Sequence, residues 1–163
     1  MDISAFSALL FLPFALPICV YVAFSDMRDM RIPNQMVLLL FAVYVVVGAI
    51  ALPLDVYAWR YVHMIVVLVA GIALNAGGVL GAGDAKFAAA AAPFIHLGDV
   101  RFLMALFAAN MLAAFVAHRI GKHTMLKKIA PHWESWTNAK FPMGLALGGT
   151  LALYLALGVW YGK

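Results

Sequence analysis

Residues 4–25 read SAFSALLFLPFALPICVYVAFS, a run of 22 residues without a charged side chain. About 20 mostly apolar residues in a helix are enough to cross the hydrocarbon core of a bilayer, which is about 30 Å thick. The run lacks a basic amino-terminal region and is too long for a cleaved signal peptide, so it predicts a retained membrane span. Packed membrane helices tolerate proline, and Pro13 and Pro17 predict a bend in this one.

The whole 163-residue chain shares this apolar character. It is 66% hydrophobic and only 11% charged, with a mean hydropathy of +0.99. Soluble domains carry charge at about a quarter of their positions, so the composition excludes a water-soluble globular domain. A net charge of +4 would favour a nucleic-acid partner in a soluble protein. Here the basic residues lie between apolar segments, where membrane orientation explains them better, and no nucleic-acid partner is expected.

Six apolar segments predict an all-α membrane protein, a bundle of about six transmembrane helices forming one domain over residues 1–163. The predicted segments are Ser4–Ser25, Met36–Leu54, Tyr61–Leu80, Ala85–Leu97, Phe102–Ala117 and Met143–Trp160. If the amino terminus lies outside, eight of the eleven Lys and Arg residues fall in inner loops and three outside. Cytoplasmic loops are enriched in Lys and Arg, so this distribution predicts six spans with both termini outside the cytoplasm.

Residues 118–141 form the longest polar stretch and are predicted to be a cytoplasmic interfacial loop. The stretch combines basic residues with Trp133 and Trp136. This combination is typical of segments that lie along an anionic lipid surface, so anionic lipids are an expected partner.

The acidic residues divide into two groups. Four are expected to be ordinary solvated carboxylates outside the spans, namely Asp2, Asp55, Asp99 and Glu134. The other three lie at the cytoplasmic boundary, where Asp26 and Asp29 close the first segment and Asp84 opens the fourth. A carboxylate next to hydrocarbon is costly to ionise, which makes it a candidate functional group. Two carboxylates that share a proton can activate water and polarise a peptide carbonyl. The predicted arrangement of the spans therefore favours a catalytic pair of Asp84 with Asp26 or Asp29.

The surroundings of Asp84 favour a close approach by another chain. In Gly81-Ala82-Gly83-Asp84 the backbone is unhindered. Asp84 is predicted at a helix amino terminus, where the helix dipole favours a negative charge, whereas Asp26 is predicted in a last turn, where the dipole disfavours one. This argument predicts that Asp84 is the more readily ionised partner and Asp26 the more readily protonated one.

No other catalytic or metal-binding set is concentrated in the sequence. The five histidines are scattered, and the single cysteine, Cys19, lies in an apolar run, which excludes an internal disulfide and a paired-cysteine zinc site. Neither a metal nor another cofactor is therefore expected.

Three segments resemble motifs of the bacterial type IV prepilin peptidases, which are GxGD aspartyl proteases. Residues 25–34, SDMRDMRIPN, look like their Asp-x-Arg-x-x-Arg-Ile-Pro-Asn segment. Residues 81–86, GAGDAK, match their Gly-x-Gly-Asp-x-Lys signature, and residues 141–146, FPMGLA, resemble their Pro-x-Gly-x-Ala segment. The three segments occur in the family's order, at the inner ends of predicted spans one, four and six.

The resemblance implies an aspartyl endopeptidase of the bacterial inner membrane that removes the short, basic leader of prepilins or pseudopilins. Cleavage at the cytoplasmic face, just before the substrate's hydrophobic helix and usually after a glycine, is implied. The match assigns catalysis to Asp26 and Asp84 and leaves Asp29 out. The residues that it implies as site support or substrate contacts are Gly81, Gly83, Lys86, Arg28, Arg31, Pro33, Asn34, Pro142 and Gly144.

The chain departs from the larger members of that family in one respect. Those members carry a cytoplasmic domain with paired CxxC motifs after the first span, and they also methylate the new amino terminus. Here only the ten residues from Asp26 to Gln35 separate the first two predicted spans, and the paired cysteines are absent. The resemblance therefore implies a short form similar to the enzyme of tight-adherence (Flp) pilus systems, with peptidase activity and without support for methylation.

Three alternatives remain open at this level. A proton- or cation-coupled transporter could use the aspartates as a relay, but a relay needs polar groups at several depths, and Asn75 and Asn110 are the main ones inside the spans. A non-catalytic scaffold would not explain paired aspartates. Another GxGD protease, of the presenilin type, usually has a Tyr-Asp pair, whereas Ser25 precedes Asp26 here.

Overall fold

The computed structural model describes residues 1–138 and 140–163, and in this part the secondary structure is entirely helical. The α-helices are α1 (Ala5–Asp29), α2 (Asn34–Ala51), α3 (Leu54–Ala76), α4 (Ala82–Ala91), α5 (Val100–Lys122), α6 (Met125–Ile129) and α7 (Met143–Tyr161). Three short 3-10 helices cover Ala92–Phe94, Leu97–Asp99 and Glu134–Trp136. The predicted all-α class is confirmed.

Five of the described helices, α1, α2, α3, α5 and α7, are long and apolar enough to cross a membrane. Each has at least 18 residues, which corresponds to about 27 Å at 1.5 Å per residue. They coincide with five of the six predicted segments. The largest shift is in α3, which begins at Leu54 rather than at Tyr61.

The fourth predicted segment is not a spanning helix. Its helix α4 has 10 residues, or about 15 Å, half of the hydrocarbon thickness. The run of alanines favours a helix, but Pro93 follows it and lacks a backbone N–H, so the chain continues as two 3-10 helices. Where six spanning helices were expected, the structure thus has five long helices and one short, irregular segment.

This short segment nevertheless connects the two ends of the bundle. We call the end that carries Asp26 and Asp84 the aspartate end, and the end where the chain termini meet the termini end. At the termini end the Met1 amino group donates to the carbonyl of Tyr161 at 3.1 Å. Asp99, at the end of the short segment, accepts hydrogen bonds from the backbone N–H groups of Asp2 and Ile3, which precede α1. The fourth segment thus runs through the interior from one end to the other.

Close packing of α1 against α7 forms the main axis of the core. An added Cβ at Gly148 of α7 would lie 2.6 Å from the carbonyl oxygen of Cys19, so only glycine permits this approach. Small residues at such crossings are what allow membrane helices to pack. Nearer the termini end, Phe94 of the fourth segment packs edge-on against Phe11 and Tyr44, with ring centroids 4.8 and 5.6 Å apart.

The predicted interfacial loop covers residues 118–141, of which residue 139 lies outside the described residues. The described part of it is partly helical. Helix α5 continues to Lys122, so the first part of this stretch belongs to that helix. Trp136 is only 2% exposed and stacks on His118 and Trp133, with ring centroids 5.1 and 5.6 Å away. The loop therefore packs onto the aspartate end of the bundle through its aromatic residues.

Candidate active site

Asp26 and Asp84 come from different helices and line the same two cavities. Asp26 lies in the last turn of α1, and Asp84 lies in the first turn of α4. The pairing arises because α1 ends and α4 begins at the same end of the bundle. Asp29, three residues beyond Asp26, also lines the first of these cavities.

The carboxylate of Asp26 is held by the start of α7. Its side chain is 5% exposed, and its Oδ2 accepts a hydrogen bond from the backbone N–H of Gly144 at 2.7 Å. An added Cβ at Gly144 would lie 2.8 Å from the Cβ of Asp26 and 3.0 Å from its Oδ2. A glycine is therefore needed at this position for the backbone to reach the carboxylate. The fully buried Pro142 is the N-cap residue of α7 and precedes this contact by two residues.

Asp84 is half-buried, and its ionisation is disfavoured. Burial and, to a smaller extent, the nearby charge of Asp26 raise the pKa of Asp84 to about 6, against the opposing effect of a hydrogen bond from the Gly81 backbone. The helix dipole typically contributes about 0.3–1 kcal/mol, which is less than one pKa unit, and burial and the second carboxylate outweigh it here. Each carboxylate has a backbone hydrogen bond, but the charge of Asp26 adds to the burial that raises the pKa of Asp84, so the contacts favour Asp84 as the protonated partner, opposite to the helix-dipole prediction.

The first cavity, which we call the polar cleft, has a volume of about 690 Å³ and lies between the α1–α2 turn and the start of α4. Six of the residues predicted to support the site line it, namely Arg31, Pro33, Asn34, Gly81, Gly83 and Lys86. The Nζ of Lys86 donates to Oδ1 of Asn34 at 3.2 Å, which links α4 to α2 beside the two aspartates. The structure thus brings these six residues together with both carboxylates.

Arg28 lies apart from both cavities. Its guanidinium binds the carboxylate of Asp29, with Nη2 and Oδ2 2.8 Å apart, and both side chains are about half exposed. It also lies over the ring of Phe24, 5.6 Å from the centroid. Asp29 is therefore already paired with a cation, whereas Asp26 is paired with a backbone donor.

The second cavity, which we call the apolar groove, has a volume of about 1200 Å³. One wall is the α3–α4 connection around Val79 and Leu80, and the other is a face of α5. The α5 residues that line it are Met104, Phe107, Ala108, Met111, Leu112 and Phe115. This groove was not predicted from the sequence, because a membrane helix is apolar on every face and hydrophobic periodicity does not mark the face that lines a cavity.

Two charged residues at the termini end are buried, contrary to the prediction from the sequence. Asp99 was expected to be solvated, but it is only 4% exposed. Arg60 was counted as an outer-loop residue, but it lies in α3 and is 3% exposed. Its Nη1 donates to the carbonyl oxygens of Pro93 and Phe94, 3.1 and 3.4 Å away. No periodic signal in the sequence distinguishes these residues from loop residues.

Among the described residues, no group of three or more His, Cys, Asp and Glu side chains is arranged to hold a metal ion. The groups at the aspartate end include the carboxylates of Asp26 and Asp84, the Asp29 carboxylate that is paired with Arg28, backbone N–H groups, and the Lys86 and Arg31 cations. Proton transfer between a bound water and a polar substrate is what such a set can perform.

The fold and the site define a protein that is helical throughout its described secondary structure, has helices long enough to span a membrane, and carries a pair of carboxylates, one buried and one half-buried, at one end of its bundle. Residues 13–118, more than half of the chain, match the model of the type IV leader peptidase family. The chain belongs to the type IV leader peptidase family, and it is thus a membrane protease. The match includes Asp26 and Asp84 and ends before Gly144. Neither the curated proteins nor the solved structures gave a match.

Proposed function

We propose that this protein is an aspartic endopeptidase that cleaves the leader peptide from prepilins or pseudopilins, with Asp26 and Asp84 as its catalytic residues. The observation that carries the proposal is the carboxylate pair, which two separate helices bring to one cleft. Each family motif contributes to it, because α1 supplies Asp26, α4 supplies Asp84, and α7 supplies the Gly144 N–H.

In the proposed reaction, Asp26 is the general base and Asp84 the general acid. Asp26 takes a proton from a water molecule as its oxygen attacks the scissile carbonyl carbon, and Asp84 donates its proton to the carbonyl oxygen. Asp26 then passes its proton to the leaving nitrogen, and a hydroxyl of the tetrahedral intermediate returns a proton to Asp84 as the C–N bond breaks. The raised pKa of Asp84 supports this assignment, because the acid must hold a proton near neutral pH.

The neighbouring polar groups have supporting roles in this proposal. The Gly144 N–H stabilises the ionised form of Asp26 and fixes its orientation. Lys86 and Arg31 supply donors for substrate carbonyl oxygens in the polar cleft, and the bond between Lys86 and Asn34 fixes α4 relative to α2. Pro33 and Gly83 shape the cleft wall.

The proposed orientation places the aspartate end at the cytoplasmic face of the bacterial inner membrane, with both termini outside. Eight of the eleven Lys and Arg residues fall on the aspartate side of the sequence threading. Of the three assigned to the other side, Arg60 is buried in α3, which leaves only Arg101 and Lys163 there. Without the buried Arg60, the excess of Lys and Arg on the aspartate side, which supports the orientation, is larger than the sequence count alone indicates. Anionic lipids are the proposed partners of the basic loop.

The proposed activity is cleavage without amino-terminal methylation, as in the short enzymes of tight-adherence pilus systems. Helix α1 ends at Asp29 and α2 begins at Asn34, so four residues connect them. A connection of that length leaves no room for the cysteine-containing cytoplasmic domain of the larger family members.

The transporter alternative is less well supported. Phe11, Tyr44 and Phe94 are fully buried and fill the interior between the aspartate end and Asp99. A relay would need polar groups or water along this path.

The proposal is tested by co-expressing the protein with a tight-adherence prepilin and measuring release of the leader by mass spectrometry. We expect Asp26→Asn and Asp84→Asn each to reduce cleavage by about 10³-fold or more, since each removes a proton-transfer group. Asp29→Asn is the matched control, because it removes a nearby carboxylate that lies in the polar cleft but is paired with Arg28. Full cleavage by the Asp26→Asn or Asp84→Asn variant would reject the aspartic mechanism.

A further inference from the structure

The two cavities that meet at Asp26 and Asp84 differ in chemistry. The polar cleft is lined by charged and amide side chains such as Arg31, Asn34 and Lys86. The apolar groove is lined mainly by methionine, phenylalanine and aliphatic side chains, with Lys140 and Asn75 among its few polar residues. A substrate that crosses the aspartate pair therefore meets polar walls on one side and apolar walls on the other.

The groove lies beside α5, whose main packing partner among the described helices is α7. The amide of Asn110 fixes this packing, since its Nδ2 donates to the carbonyl of Ala146 at 2.8 Å and to the hydroxyl of Thr150 at 3.1 Å. The opposite face of α5 is left to line the groove. Large apolar side chains on that face are exposed, with Met104 at 59% and Leu112 at 64%.

The dimensions of the groove fit a helix lying alongside α5. Its α5 wall extends from Met104 to Phe115, which is about 17 Å at 1.5 Å per residue, or about three helical turns. The Phe115 end of this wall is the one near the aspartates. The ring of Phe115 lies 5.8 Å from that of Phe141, which also lines the groove and precedes Gly144, the residue that binds Asp26, by three positions. Met104 lies about half the length of α5 from Phe115, near the start of the helix and towards the termini end.

We propose that the apolar groove binds the first three turns of the substrate's transmembrane helix, antiparallel to α5, with the leader in the polar cleft. This inference rests on the proposed function. The occupant follows from continuity with the carboxylate pair, because a chain with a polar leader and an apolar helix matches both cavities only in this direction. The substrate residues next to the cleaved bond then contact Leu112 and Phe115, and residues about eight positions later contact Met104.

The first experiment fills the groove and leaves the carboxylates unchanged. Ala108 lines the groove, and its exposed neighbour Ala109 lies outside the lining, so Ala108→Trp and Ala109→Trp form a matched pair. The probe is a precursor with a lysine-containing leader, a glycine at the cleavage point and 20 apolar residues. We expect Ala108→Trp to lower kcat/KM at least tenfold and Ala109→Trp less than twofold. For a probe without the apolar residues, both variants should match the wild-type chain.

The second experiment measures the direction of the bound helix by disulfide cross-linking in the Asp84→Asn background, which retains uncut precursor. Native Cys19 is 1% exposed and does not compete. Leu112→Cys should link to a cysteine three residues after the cleavage point, and Met104→Cys to one about eight residues further on. Val116→Cys, 46% exposed on α5 but outside the groove lining, is the control.

The outcomes separate this inference from the proposed function. If the wild-type chain cleaves the precursor and Ala108→Trp cleaves equally well, the groove assignment is wrong and the peptidase assignment stands. If the wild-type chain does not cleave, the proposed function fails, and the cross-links still decide whether the helix binds. A reversed cross-linking order would overturn the antiparallel direction. Cross-linked homodimers through Leu112→Cys would overturn the proposal and assign the groove to a second copy of the chain. The absence of a cross-link at every position would also overturn it and indicate that lipid chains fill the groove.

Discussion

Two buried aspartates at opposite ends of the bundle are almost equally inaccessible, yet their surroundings differ. Asp26 and Asp99 are 5% and 4% exposed. Within the described residues, Asp99 accepts three hydrogen bonds, from the backbone N–H groups of Asp2 and Ile3 and from the hydroxyl of Tyr154, at 2.7–2.9 Å. Asp26 accepts one, from Gly144, and borders two cavities.

The difference shows that burial alone does not identify a functional carboxylate. An ionised carboxylate can accept about four hydrogen bonds. At Asp99 most of that capacity is used to tie the amino terminus and α7 to the fourth segment. At Asp26 much of it faces space that a water molecule and a substrate can enter. The contacts of Asp99 therefore stabilise the fold, whereas those of Asp26 leave acceptor capacity available for the proposed catalytic role.

The largest effect on stability is expected from Asp99→Ala. It leaves three donors without their acceptor, two of them buried and one partly buried, and the loss at a buried donor costs about 1–3 kcal/mol. We expect the free energy of unfolding in detergent to fall by about 3–5 kcal/mol. The matched variant Asp26→Ala leaves one N–H without its acceptor next to an open cleft. It should change the free energy of unfolding by about 1 kcal/mol or less. Equal losses in the two variants would remove the distinction between the two ends.

A smaller loss is expected from Arg60→Leu at the same end. The substitution keeps an apolar side chain and removes the donors to Pro93 and Phe94. We expect a loss of about 1–3 kcal/mol in the same unfolding measurement. Arg101→Leu, which removes an exposed arginine at the start of α5, is the control and should be close to neutral. An unchanged stability of Arg60→Leu would mean that the fourth segment is not held by this contact.

At the aspartate end, Gly144→Ala should affect activity more than stability. The added Cβ would press on Asp26 at 2.8 Å and displace either the carboxylate or the start of α7. We expect kcat/KM for prepilin cleavage to fall about tenfold, since a small misplacement of a catalytic group is costly. Gly77→Ala is the control, because its added Cβ would meet its neighbours at 3.6 Å or more. Normal activity of Gly144→Ala would argue against the role of the Gly144 N–H.

The smallest expected effect is a pH-dependent gain of stability in Asp84→Asn. The pKa of Asp84 is raised from 3.8 to about 6 in the folded protein, so the fold favours the protonated form. Ionisation therefore destabilises the wild-type chain as the pH rises from about 4 through about 6. The Asn variant should be more stable by about 1 kcal/mol at pH 8, after solvent screening of a half-buried group, and no more stable at pH 4. A gain of the same size at both pH values would contradict the raised pKa.

Much of the site follows from local sequence. The segments around Asp26 and Asp84 predicted that these carboxylates end one helix and begin another at the same side, and both side chains do line one cleft. Local motifs also led to Lys86 and Asn34, which bond to each other. Arg28 was the exception, since it lies outside the cavities and pairs with its neighbour Asp29 at the edge of the polar cleft.

Other features depended on packing between distant residues. The sequence placed Asp84 as the ionised partner from the helix dipole, a local effect, whereas burial and the charge of Asp26 arise only when α1 and α4 meet. The burial of Asp99 likewise depends on contacts with Ile3 and Tyr154, 96 and 55 positions away along the chain.

The sequence by itself determined that lipid surrounds this protein and which side chains are available for catalysis. Its apolar runs require lipid, and its few charges allow only a small number of catalytic pairs. The tertiary structure decided which face of α5 lines a groove, that the fourth segment is a short buried helix, and which partner holds each carboxylate. In a membrane helix every face is apolar, so residue type cannot specify which face meets protein and which meets a cavity. That choice depends on the Asn110 hydrogen bonds and on close contacts at Gly144 and Gly148, which form only when the helices assemble.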